Sequence, residues 1–229
     1  MPAITVAAPK EAVSEKHISC FGGMNIEVCS KIIHRMVTSY RIRELHILSN
    51  QWGRLQRVVF DTQNELGEIR QHESELYDAG NGAAVLLYNV RQRMVLLIRQ
   101  FRVATVRNGN PSGLLVEACA GKMDGLPAEQ TIIKEIWEET GYAVKAVRPV
   151  LSIYPSPGSF TERLELYVAA YEPEDKKSDG GGLKEEGEDI EVIELPFDEA
   201  LSMIQSGKIR DAKTIILLQY AALNGLFSS

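Results

Sequence analysis

The chain has 229 residues, 45% apolar and 24% charged, a composition that supports a packed core and argues against global disorder. Its 31 acidic side chains outnumber the 25 basic ones for a net charge of −6, which argues against a dedicated nucleic-acid binder with its basic footprint. No apolar run nears the roughly 20 residues of a membrane-spanning helix, and no secretory signal opens the chain. Three cysteines, Cys20, Cys29 and Cys119, lack CxxC spacing and point to reduced thiols in the cytoplasm.

The first 40 residues show no clear period; a short helix within 18–40 is the only element expected there. LQRVVFDT (55–62) and GEIRQHESELYD (67–78) read as a hairpin across QNELG. AAVLLYN (83–89) and RMVLLIRQFRV (93–103) read as a second strand pair, and LLVEACAG (114–121) as one further strand. PAEQTIIKEIWEET (127–140) lies between Pro127 and Gly141, the residues that favour a helix start and stop. Strands follow at 142–154, 162–172 and 190–195, then helices at 198–207 and 211–226. Strands in the middle and few helices make an α+β pattern. The expected division is an unassigned extension (1–46), an N-terminal strand region (47–80) and a main domain (81–229).

The loop 172–191 holds nine acidic and three basic side chains, so the whole net charge sits in this stretch. Most of it reads as a solvated, flexible insertion.

In the helix at 127–140, Glu138 and Glu139 fall within about 60° of Glu135 at about 100° per residue. Ile133, Ile136 and Trp137 fall on what reads as an opposite, core-facing side. Like charges four apart repel, and carboxylates near a helix C-terminus oppose its dipole. A divalent cation reverses both penalties, and Mg²⁺ is commonly held by a few carboxylates together with substrate phosphates. A solvated helix face is the plain alternative.

The string GKMDGLPAEQTIIKEIWEETGY (121–142) resembles the Nudix box, Gly-x5-Glu-x7-Arg-Glu-U-x-Glu-Glu-x-Gly-U. Glu135, Ile136, Glu138, Glu139, Gly141 and Tyr142 match its second half, and Gly121 its first glycine. The spacing from Gly121 to Glu135 is one residue short, Lys134 replaces the arginine, and the early glutamate has no clean counterpart. Further segments, among them YDAGNGAAVLLYN, VLLIRQFRVAT and IRDAKTIILL, resemble the GDP-mannose pyrophosphatase branch of that family over about residues 47–222.

The resemblance implies an α/β/α sandwich of mixed sheets with an N-terminal β-hairpin region, and Mg²⁺-dependent hydrolysis of a nucleotide sugar, with Mn²⁺ as a substitute metal. GDP-mannose, giving GMP and mannose 1-phosphate, is the leading substrate. It implies Ala120 (through its carbonyl), Glu135, Glu139 and Glu188 as metal ligands. Glu188 would also be the base, and Glu138 would assist. Arg102 and Lys213 would contact phosphate or substrate, Glu162 the sugar, and Trp52 would stack on the base. Gly121 and Lys122, at the box opening, and the turn Ser156–Gly158 are assigned to substrate binding. Arg99 is taken to share a strand face with Arg102. VVF (58–60), read as lacking cover, and the family pattern imply a homodimer with exchanged N-terminal strands.

Glu73 and Ser74 stand where the branch carries a basic pair, which keeps ADP-ribose or an ADP-sugar as an alternative. A non-catalytic nucleotide-binding module is the third reading, left open by the altered first half of the box.

Overall fold

The computed structural model describes residues 5–7 and 36–227. The chain divides into two compact units, Met1–Ala79 and Gly80–Ser229. Most of the stretch 18–40 lies outside the described residues; its end enters a strand.

The first unit is a four-stranded antiparallel sheet in sequence order: β1 (Thr5–Ala7), β2 (Val37–Asn50), β3 (Arg54–Asn64) and β4 (Ile69–Asp78). The β3–β4 hairpin forms as expected, but the 14-residue β2 has no counterpart in the sequence reading. The reason is a phase break. Tyr40 and Ile42 alternate, then Leu45 and Ile47 alternate one residue out of step, because the register shifts between Ile42 and Glu44. A bulge inserts one residue and resets the period of two. Contrary to expectation, VVF is covered: Val58 and Val59 are buried, and Phe60 stacks on His72 at 5.2 Å. The exposed apolar side chains lie instead along β2, at Ile42, Leu45, Ile47 and Leu48.

The second unit is built on the apolar run 83–87. Every residue of it is fully buried, which a central strand covered on both faces requires. β5 (Gly82–Asn89) lies between β6 (Met94–Phe101) and a parallel β10 (Leu164–Ala170). The sheet runs β11-β6-β5-β10-β9, with β9 at Arg148–Ile153 and β11 at Glu191–Pro196. Three helices cover it, besides a single turn α1 (Val103–Val106). On one face, α2 (Ala128–Glu135) inserts Ile132 against Ala83, Val85 and Leu87. On the other, α3 (Phe197–Gln205) and α4 (Ala212–Leu223) cover Ala84 and Leu86 with Ala200, Leu217 and Leu218. The result is an α+β fold of layered sheet and helices.

The expected strand 114–121 is two strands. β7 (Leu114–Glu117) pairs with β6, and β8 (Cys119–Lys122) pairs with β5. The chain changes partner at Ala118, whose N–H donates to the Thr214 hydroxyl (2.6 Å). The expected strand 142–154 shortens because its start binds the acidic loop: Ala143 N–H donates to Asp175 O (2.9 Å). Among the described residues no helix is long and apolar enough to cross a membrane.

Candidate active site

The acidic helix does not end as a regular α-helix. After Glu135 it widens into a π-turn, Ile136–Thr140, closed by Gly141 in the left-handed conformation. Such turns recur at functional sites. The buried face carries Ile132 and Ile136, while Ile133 and Trp137 are 37% and 46% exposed. This corrects the expected split of acidic and apolar faces. Ile132 and Ile136 fall within about 60° of Glu139 on the helix wheel, and Glu139 shares their inward side, only 1% exposed.

Burying a carboxylate is costly unless it is bonded. Glu139 accepts from the Ala120 N–H (3.1 Å) and from the Cys119 thiol. These bonds do not suffice: burial, then the charges of Glu135 and Glu188, push its carboxyl up to about 8. Burial and the nearby Glu139 raise the Cys119 thiol well above its ordinary value. Glu135 lies against Gly121, where an added Cβ would stand 2.1 Å from its carboxyl carbon. Glycine at the box opening therefore admits Glu135 to the sheet edge. Glu138 points elsewhere, into an ion pair with Lys134 (2.6 Å).

A second cluster adjoins the first. Glu117, 2% exposed, accepts two bonds from Arg102 (2.8 and 3.1 Å) and one from Lys213 (2.6 Å). Burial alone would raise its carboxyl, but these cations outweigh burial and hold it below the ordinary range. Lys213 also pairs with Asp211 (3.0 Å), and Asp211 caps α4 through the Thr214 N–H and hydroxyl. Lys213 is thus nearly buried, not a lysine facing water. Glu162, half-buried, lies beside Gly82, and the charge of Lys213 partly offsets the rise that burial imposes on its carboxyl. Lys122 pairs in register with Gly82 and reaches Asp124 (3.5 Å).

Arg99 is not on the face of Arg102, since a separation of three is odd on a strand. Its guanidinium pairs with Glu191 of β11 (Nε to Oε2, 2.8 Å). The turn Ser156–Gly158 is closed by Phe160 N–H to Ser156 O (3.0 Å). Trp52 belongs to the first unit, in the β2–β3 turn, with an indole 73% exposed.

The acidic loop is not a free insertion. Lys177 and Ser178 N–H donate to Gly141 O (2.8 and 3.2 Å). Gly181 and Gly182 N–H donate to the carbonyls of Glu139 and Glu138 (2.9 and 3.0 Å). Glu188 accepts from the Leu183 N–H (2.9 Å) within the same loop.

A NUDIX domain matches residues 79–218. The GDP-mannose pyrophosphatase of Cronobacter sakazakii (strain ATCC BAA-894) is 50% identical over 180 residues, 79% of this chain and 93% of that one. Those of Escherichia coli O1:K1 / APEC and Shigella flexneri serotype 5b (strain 8401) are 48% identical over the same shares. The chain belongs to the Nudix family. It is a Nudix hydrolase, and the family typically works with Mg²⁺.

Among the described residues no group of three or more His, Cys, Asp or Glu side chains is placed so that it could hold a metal ion. The oxygen donors are nonetheless of the chemical type that a hard cation takes. A buried carboxylate raised by two further carboxylates is the charge pattern that a divalent ion relieves. Two parts of this Nudix site escaped the sequence reading. Glu117 had a signal, as the one acid within the apolar strand LLVEACAG. The docking strap had one too, in the three successive glycines 180–182.

Proposed function

We propose that this Nudix hydrolase cleaves the pyrophosphate bond of GDP-mannose, giving GMP and mannose 1-phosphate. Similarity to the GDP-mannose pyrophosphatases supports the substrate. The observation that carries the chemistry is the pairing of two cations, Arg102 and Lys213, held on the buried Glu117, with a carboxylate cluster centred on Glu139.

Arg102 and Lys213 grip phosphate oxygens, pre-oriented by Glu117. Glu188 accepts the proton of the attacking water as a P–O bond of the bridge breaks. Glu162 meets the sugar, and the exposed Trp52 stacks on the base. Gly121 and Lys122 border the substrate. Ala120 (carbonyl), Glu135, Glu139 and Glu188 would hold Mg²⁺ or Mn²⁺, with Glu138 ligating a further ion or orienting the others. The cation, when bound, offsets charge that builds on the phosphate oxygens.

The apolar side chains exposed on β2 support a homodimer through exchanged N-terminal strands, and the sparse cysteines support a cytoplasmic location. The domain reading keeps 1–46 as an extension, 47–80 as the dimerising strands and 81–229 as the hydrolase. A second substrate reading, ADP-ribose or an ADP-sugar, is favoured by Glu73, whose carboxylate meets Arg57 (2.7 Å) instead of adding a basic group.

A panel of GDP-mannose, ADP-ribose and ADP-glucose, with product phosphate detected, separates the readings. GDP-mannose is expected to lead in kcat/KM by about tenfold or more, a gap of about 1.4 kcal/mol. Preference for ADP-ribose would move the assignment to the second reading. No hydrolysis of any member with Mg²⁺ would favour a non-catalytic module.

A further inference from the structure

We propose that the glycine strap Gly180–Gly182 is a positioning element for hydrolysis: docked on the last carbonyls of the acidic helix, it fixes where the Glu188 carboxylate stands. The inference rests on the reading of Glu188 as proton acceptor.

A helix end leaves carbonyls without partners. Here the strap supplies them, through Gly181 N–H to Glu139 O and Gly182 N–H to Glu138 O. The same strap is tied forward to Glu188. Leu183 N–H donates to the Glu188 carboxylate (2.9 Å), Glu188 N–H to Leu183 O (3.2 Å), and Ile190 N–H to Gly181 O (3.2 Å). A short run of backbone bonds therefore joins the main chain of Glu139 to the side chain of Glu188. The loop carries nine carboxylates and meets an acidic helix, so side-chain charge opposes this approach. Backbone bonds achieve it.

Glycine is required for the docking. Gly180 has φ +68°, and a Cβ there would stand 2.5 Å from Glu139 O and 2.6 Å from Thr140 C. Both are backbone atoms that cannot swing aside, so the strap would have to lift. Gly207, after α3, has nearly the same φ, +70°, and nothing within 4 Å of its added Cβ. Its alanine variant carries the same local strain without an effect on docking.

The test compares Gly180→Ala with Gly207→Ala, using the best substrate of the panel above and amide hydrogen exchange. For Gly180→Ala, kcat should fall at least about tenfold, in line with the cost of misplacing a reacting group. KM should stay within about twofold, and protection of the Gly181 and Gly182 amides should be lost. Gly207→Ala should change none of these. In a Glu188→Gln background, Gly180→Ala should add no further loss, because both act through one carboxylate.

Equal turnover of the two alanine variants would overturn the proposal, as would losses that multiply in full in the double variant. If Gly180→Ala does not fold, exchange in the wild-type protein still decides: unprotected Gly181 and Gly182 amides would overturn it. Wild-type turnover in Glu188→Gln with both amides protected would instead overturn the role given to Glu188 and leave the docking in place.

Discussion

The two halves of the site handle charge in opposite ways. On one side Arg102 and Lys213 face Glu117 and Asp211, two cations against two anions, with distances of 2.6 to 3.1 Å. That side is neutral and held in place by the protein itself. On the other side Glu139 is bonded by a thiol and one backbone N–H, while Glu135 and Glu188 add like charge. One short segment serves both sides: Glu117 ends β7, and Cys119 and Ala120 begin β8. The difference teaches that the cation side is matched in charge as folded, whereas the acidic side gathers like charge around a buried carboxylate.

The contrast can be broken most forcefully at Glu139. Glu139→Gln keeps the shape and removes the carboxylate that would carry charge once a cation is bound, so it should fold normally. Its kcat should fall about 10²–10³-fold, the scale on which loss of one electrostatic stabiliser acts. Turnover at the wild-type rate with saturating Mg²⁺ would remove Glu139 from the reaction.

A smaller effect on catalysis is expected from the neutral side. Glu117→Gln leaves Lys213 buried without a full counter-charge, which should cost about 3 kcal/mol of stability. It should also raise KM about tenfold while kcat changes less, because the two cations lose a shared orientation. A variant with unchanged KM would show that Glu117 serves the fold alone; steady-state kinetics alongside thermal melts separates these outcomes.

Much of this arrangement was legible in the sequence. The box residues named the family and the helix, and the apolar run 83–87 marked the central strand. What stayed hidden has physical causes. The acids form one stripe on the wheel, but Ile132, about 20° from Glu139, draws that acid into the core, and the π-turn changes the spacing just where the acids cluster. The bulges of β2 scrambled its alternation. Glu117 reads as part of one continuous strand, because the switch of partner at Ala118 depends on Thr214, nearly 100 residues away. The acidic loop looked free because its composition is that of a flexible segment, whereas its docking is done by glycine N–H groups that composition does not show.

The central claim, that clustered carboxylates await a cation, is tested most directly by calorimetric titration of the metal-free protein with Mg²⁺ at pH 7, in two buffers of different ionisation enthalpy. With its carboxyl raised to about 8, Glu139 is mostly protonated at that pH and must lose its proton to bind a metal. The account predicts saturable binding with release of up to about one proton per protein, both much reduced in Glu139→Gln. Absence of binding by Mg²⁺ and by Mn²⁺, even with a non-hydrolysable nucleotide-sugar analogue present, would contradict it.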